Sequence, residues 1–345
     1  MQQRRLTPGP LLDDNGTLIE TGWSTSETRV YDRRKVAASG LRIKEWDYYC
    51  VLSDGEAGPY GIALTIADNG YVGLLGVSWL DLVRPGDVTE NALIPFPRGN
   101  IDMPSSADKG DVLVHRRGGM RIEYRNEGAT RRLTVDHPGF DSGRGLAGEL
   151  VLTQPPMDRM AIATPFPSAR KAFYYNQKIN CLPAEGSITV DGREHLFEPE
   201  TAFGVFDWGR GVWTYDNTWY WGSASGLHNG LPFGFNIGYG FGDTSAASEN
   251  VVFHDGVAHK LDGVHFHLPA GTYDGAPWRF TSNDHRFQMD FAPIHDRAAD
   301  VNALVVRSTQ HQVFGRYSGF AVLDDGSRIE VENLLGFAEQ VRNRW

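Results

Sequence analysis

Three carboxylates stand where proton transfer would be possible. Asp207 follows the apolar residues Phe203, Val205 and Phe206 and precedes Trp208. A carboxyl set against aromatic rings and away from water has its charged form disfavoured, which suits it to act as a general acid. Glu249, followed by Asn250 after a polar loop, and Glu339, within Gly-Phe-Ala-Glu-Gln, are the other two. Either of them near Asp207 would complete an acid/base pair, the minimum for hydration, dehydration, isomerisation or glycoside cleavage. The residues leave a structural reading open beside the catalytic one, in which Asp207 pairs with Arg210 and orders a turn.

Around Asp207 the stretch 206–226, FDWGRGVWTYDNTWYWGSASG, crowds together Trp208, Trp213, Tyr215, Trp219 and Trp221. Rings at this density suit either a packed barrel interior or the wall of a ligand cavity. If residues 218–225 form a strand, Trp219, Trp221, Ser223 and Ser225 share one face. Arg210 and Arg316 are candidates to hold a carboxylate or hydroxyl of a ligand. They are equally candidates for structural pairing, Arg316 with Asp207, Glu249 or Glu339 as partner. Asn236 joins the substrate-binding candidates. It lies in PFGFNIGYGF, where Phe233, Phe235, Ile237, Tyr239 and Phe241 share one face and Gly234, Asn236, Gly238 and Gly240 the other. A glycine-lined face implies close approach by a strand or a ligand. His265 and His267 share a strand face, an arrangement known from metal sites, but no third ligand has a trustworthy spacing and both are expected to face solvent. No metal is expected. No G-x-S-x-G elbow and no GxxxxGK[ST] loop occurs, so the expected chemistry uses no nucleotide and no other cofactor.

The elements that must carry these residues read as strands. LRIKEWDYYCVL, YGIALTIAD and YVGLLGVSWLDL run between Asp54-Gly55 and Asp68-Asn69-Gly70 turns, and similar runs recur to the C-terminus. Residues 94–108 form a Pro/Ser loop that reads as a flap over an opening. FAEQVRNRW at the C-terminus reads as a short helix. No long segment has a 3.6-residue period. Four prolines at 154–170 suggest a boundary, giving domains 1–165 and 166–345, each a β-barrel, the second carrying the aromatic motif. Trp219 follows Trp46 by 173 residues, and Pro232-Phe233-Gly234 follows Pro59-Tyr60-Gly61 by the same interval, the mark of an internal duplication.

With 345 residues, 40 glycines and a net charge of −10, the chain has the composition of a soluble globular β protein. Its acidity argues against nucleic acid or an anionic membrane as partner. There is no apolar run long enough to span a bilayer and no signal-type leader, so a cytoplasmic location is expected. Cys50 and Cys181, outside any metal-type spacing, read as buried free thiols.

FGVFDWGRGVWTYDNTWYWGSASG, FNIGYGFGDTSAASEN, VFGRYSGF and the terminal GFAEQVRNRW, with the GWS segment and the EWDYY strand, resemble over essentially the whole chain a bacterial and fungal family known only as a domain of unknown function. More distantly, an Asp-Trp-Gly strand after GSITVDG is similar to the two-barrel lipocalin superfamily that includes carotenoid hydratases and fungal Diels–Alder cyclases. That resemblance implies an all-β fold of two tandem lipocalin-like, calycin-like antiparallel barrels with little helix. It also implies a ligand pocket between the barrels and acid chemistry at Asp207.

The leading expectation is a cofactor-independent hydratase, dehydratase, isomerase or cyclase for a small apolar or sugar-like molecule. Asp207 would be the acid, Glu249 or Glu339 base or orienter, and Trp208, Trp213, Tyr215, Trp219 and Trp221 the ring contacts. A non-catalytic carrier of a hydrophobic metabolite, and a carbohydrate-active enzyme with tryptophan sugar platforms, stand beside it. The sequence leaves the oligomeric state unspecified.

Overall fold

Asp191-Gly192, Asn229-Gly230 and Asp255-Gly256 each have both residues at positive φ. That is the type I′ geometry which joins two antiparallel strands through a two-residue loop. With β-branched and aromatic runs on either side, such turns commit the chain to hairpins. The computed structural model, which describes residues 3–108, 112–303 and 306–344, is almost entirely β. Among the described residues helix is confined to Arg33–Lys35 and Phe140–Gly143, and no helix is long and apolar enough to cross a membrane.

Two sheets carry the fold. The first runs in the order Gly86–Pro95, Val72–Asp81, Tyr60–Asp68, Ile43–Ser53, Ala202–Val212, Phe173–Val190, Leu146–Thr153, Thr130–His137, Met120–Asn126 and Val112–Arg117. It curls until its ends nearly meet, and the Arg117 side chain donates to the Leu93 carbonyl across the gap at 3.2 Å. The second runs Val257–Lys260, Val251–His254, Leu231–Tyr239, Asp216–His228, Arg328–Arg344, Val306–Val322, Phe287–Ala303, Trp278–Ser282 and Val264–His267, and is curled into a half-barrel. The all-β expectation therefore holds.

The chain changes sheet between Val212 and Asp216. The proline-rich segment 154–170 is not where this happens, because Phe173–Val190 and Ala202–Val212 pair into the first sheet. The aromatic stretch thus straddles the two sheets, with Trp213 at the crossing. Every residue of Ala202–Val212 is buried, so the strand is covered on both faces. Phe206, Trp208 and Arg210 point into the first barrel, where Trp208 meets Tyr31 and Tyr175 edge-on at 6.2 and 5.4 Å. Asp207 and Gly209, one residue out of phase, point at the second sheet. The half-barrel has its own core of Phe235, Phe280, Phe291 and Tyr317.

Two local expectations are corrected. In the terminal FAEQVRNRW, residues 337–344 are strand, part of Arg328–Arg344, and not helix, while Trp345 lies outside the described residues. Phe337, Glu339, Val341 and Asn343 alternate with Gln340, Arg342 and Arg344, and the first set is buried while Arg342 and Arg344 are exposed. A two-residue period of that kind, with polar members on the buried face, hides behind a helix-like composition. Residues 94–108 do not form a free flap. Ser106 and Ala107 bond Glu27 at 2.9 Å, and the Pro104 carbonyl accepts from Arg210 at 2.7 Å.

Gly209 permits the seam to close. A Cβ there would lie 2.0 Å from the Trp46 indole, so the ring rests on bare backbone. Gly209→Ala is expected to push the indole away and to lower stability by about 1–3 kcal/mol, read as a lower urea midpoint at unchanged m-value.

Candidate functional site

Where the outer face of the first sheet meets the second sheet, two rows of three side chains have the same construction. In the first, Tyr48, Asp207 and Lys178 are direct neighbours on three adjacent strands. In the second, Trp221, Glu339 and Gln312 occupy the corresponding places. Each carboxylate also accepts from an indole two residues before the row's aromatic. Trp46 Nε1 donates to Asp207 at 3.1 Å, and Trp219 Nε1 to Glu339 at 2.9 Å. Trp46 and Tyr48 precede Trp219 and Trp221 by the same 173 residues, so the interval noted in the sequence has a structural counterpart. Trp213 lies between the two donors, with ring centroids 5.8 Å from Trp46 and 5.2 Å from Trp219.

The rows differ in their third member. Lys178 Nζ lies 2.9 Å from Asp207 and 3.7 Å above the Trp221 ring. With Asn176 donating at 2.6 Å, Asp207 is ringed by donors and serves as an acceptor. Glu339 instead receives a neutral amide, Gln312 Nε2 at 3.2 Å, itself within 3.3 Å of the Tyr48 hydroxyl. Burial, opposed by the Trp219 bond and the more distant Lys178 and Arg297 charges, pushes the Glu339 carboxyl up to about 7. Glu249, buried behind Tyr174, whose hydroxyl reaches it at 3.3 Å, is likewise pushed up to about 7 by burial, against the pull of Lys178. One ammonium thus serves three carboxyls.

Between the rows lies a cavity of about 230 Å³, with Asp207, Lys178, Glu339, Trp213, Trp219 and Trp221 among its walls. Five sequence candidates meet there, and the others lie elsewhere. Trp208 and Arg210 face the first barrel's interior, and Arg210 pairs with Asp47 at 2.8 Å. The Asp207–Arg210 bridge is therefore absent, since residues three apart on a strand point to opposite faces. Tyr215 is exposed. Arg316 makes a two-pronged pair with Asp54, at 2.7 Å on each side, and meets none of the three carboxylates named for it. Asn236 is buried behind the cavity wall, accepting from Trp221 Nε1 at 2.6 Å and donating to the Glu249 carbonyl at 3.0 Å. Glu249 is outside the wall as well. His265 and His267 are exposed, and among the described residues no group of three or more candidate ligands could hold a metal ion. Cys50 and Cys181 are buried free thiols.

Sequence reasoning missed Lys178, Gln312, Trp46 and Tyr48 as site members. Lys178 carried one signal, a lone charge within the otherwise uncharged run FYYNQKINCL.

A family model described as a domain of unknown function (DUF2804) matches residues 2–345. No curated protein matches the chain in sequence. Among solved structures, one described as an AttH of Nitrosomonas europaea aligns with a TM-score of 0.56 at 14% identity, over 93% of this chain and 98% of that one. CghA, solved with Sch210972, aligns at 0.51 and 12% identity, over 98% and 97%. At such identities the likeness is one of fold, and both share the two-barrel architecture.

Two outcomes follow from the buried charges. Lys178→Met strands the Asp207 carboxylate and is expected to cost about 3–5 kcal/mol, with much of the loss recovered in Lys178→Met/Asp207→Asn, both read by thermal denaturation. Glu249 has a higher pKa folded than unfolded, so the native state binds its proton more tightly. Its contribution is full below about 4.5 and is lost as pH rises through about 7. Glu249→Gln is therefore expected to flatten the fall in stability between pH 5 and 7 relative to the parent, measured by urea unfolding at each pH.

Proposed function

The chain belongs to the DUF2804 family, and from that premise we propose that it is an acid/base enzyme of the hydratase, dehydratase, isomerase or cyclase kind, acting on a small molecule held between its sheets. The observation that carries the reading is the difference between the rows. A carboxylate beside an ammonium and a carboxyl beside an amide, in matched frames on one cavity, are an acceptor and a proton donor at neutral pH. The roles are thereby exchanged relative to the sequence expectation. Glu339 gives the proton, and Asp207 with Lys178 accepts from or holds a polar substituent. Trp46, Trp213 and Trp219 enclose the apolar part and present ring faces to developing positive charge. That CghA, of similar fold, has been solved with Sch210972 supports a small organic ligand for this architecture.

The carrier reading keeps one observation in its favour. Asp207 is already neutralised by Lys178, as a site built only to hold a ligand would have it.

Native mass spectrometry of the purified protein, followed by extraction, identifies what occupies the cavity and supplies the compounds to assay. For an enzyme, Glu339→Gln retains ligand binding and loses about 10²–10⁴-fold in turnover. Gln312→Lys, which copies the first row into the second, moves the basic limb of the pH–rate profile to lower pH. A ligand returned unchanged by the parent, or equal turnover by parent and Glu339→Gln, would refute the proposal.

A further inference from the structure

On the opposite face of the strands that carry Glu339 and Gln312 lies a second cavity of about 300 Å³. Its walls are Tyr273, Arg307, Thr309, His311, Gln340, Arg342 and Arg344, three arginines and no carboxylate, in a chain of net charge −10. The arrangement is costly as it stands. Arg307 and Arg344 are direct cross-strand neighbours, and like charges so placed repel. Asp216 is shared by Arg344 at 2.9 Å and Arg342 at 3.6 Å. Asp300 is Thr309's neighbour on the next strand and forms no part of the wall. Among the described residues no carboxylate lies within ion-pair reach of Arg307.

The polar floor is already organised. Tyr273 stacks on His311 with centroids 3.8 Å apart and planes 11° from parallel. Asp296 holds His311 Nδ1 at 2.7 Å, leaving Nε2 for a ligand. Tyr273 donates to Gln340 at 2.6 Å, and Gln340 donates to Tyr220 at 2.9 Å, which fixes the amide.

The geometry points to an anion site here, separate from the inter-sheet cavity, for a small molecule carrying a phosphate or a pair of carboxylates. Guanidinium groups match both oxyanions with paired donors, and an oxyanion bridging Arg307 and Arg344 turns their repulsion into attraction. The site does not depend on the proposed acid/base reaction.

The test is calorimetric titration of the full chain with inorganic phosphate and with succinate, at ionic strength held constant with sodium chloride. Saturable binding of either supports the site, and the tighter of the two identifies which oxyanion it takes. Arg307→Gln and Arg342→Gln, both at exposed positions, are each expected to weaken it at least about tenfold. Without added anion, Arg307→Glu replaces the repelling pair with an attracting one and is expected to raise the melting temperature. Equal response to chloride alone, undiminished binding in the Arg307→Gln/Arg342→Gln double variant, or a lower melting temperature for Arg307→Glu would each overturn the inference.

Discussion

Taking charge out of water between two β-sheets is the constraint to which the middle of this molecule answers. Asp207, Glu249, Glu339 and Lys178 are all buried at the seam. A desolvated charge is tolerable only with a partner or with several donors. The donors found there are the side chains that give the seam its form. Trp46, Trp219, Asn176 and Gln312 each spend a polar hydrogen on Asp207 or Glu339. The indoles do so while covering apolar surface, which explains why tryptophan recurs at this seam rather than phenylalanine. The ammonium finds a second partner in the Trp221 face. Even the bare backbone at Gly209 follows, since the Trp46 indole must cross it to reach Asp207.

The correspondence between the rows puts two different carboxyl surroundings in one frame. An aromatic, a carboxyl and a long polar side chain stand on three adjacent strands in both sheets, with an indole feeding each carboxyl. Shape therefore does not distinguish Asp207 from Glu339. What separates them is one unit of charge at the third position, Lys178 against Gln312. An ammonium 2.9 Å from a carboxylate is a stronger partner than a neutral amide at 3.2 Å. Coupling across the seam sharpens the contrast, because the Asp207 charge itself contributes to raising the Glu339 carboxyl.

The sequence showed the sheets more clearly than the seam. Alternation in residues 218–225 correctly set Trp219 and Trp221 on one face, and the apolar face of PFGFNIGYGF does enter the second core through Phe233, Phe235 and Ile237. Phe241, assigned to that same face, lies beyond the strand's end at Tyr239 and turns back to the inter-sheet cavity. The glycine face answers to close approach: a Cβ at Gly234 would meet Cys181 Sγ at 2.6 Å, and one at Gly238 would meet Glu249 at 2.4 Å. The reading in which Asp207 pairs with Arg210 to order a turn concealed that both stand on one strand, Ala202–Val212, and so on opposite faces. Lys178 and Gln312 were illegible for another reason. Their importance comes from register across strands far apart in sequence, and the periodicity of one strand holds no record of its neighbour's register.

A raised carboxyl pKa does not by itself identify an acid, because Glu249 and Glu339 are raised to the same value by the same cause. Access separates them. Glu339 forms part of the cavity wall, whereas Glu249 sits behind Tyr174 and close to the backbone at Gly238. A proton on Glu249 can change how the seam is charged, but its carboxyl forms no part of the cavity wall. Glu249 is better understood as the group that keeps Lys178 in demand. With two other carboxyls drawing on the same ammonium, Asp207 holds its partner only by standing closest, and Glu339 is left with the neutral amide.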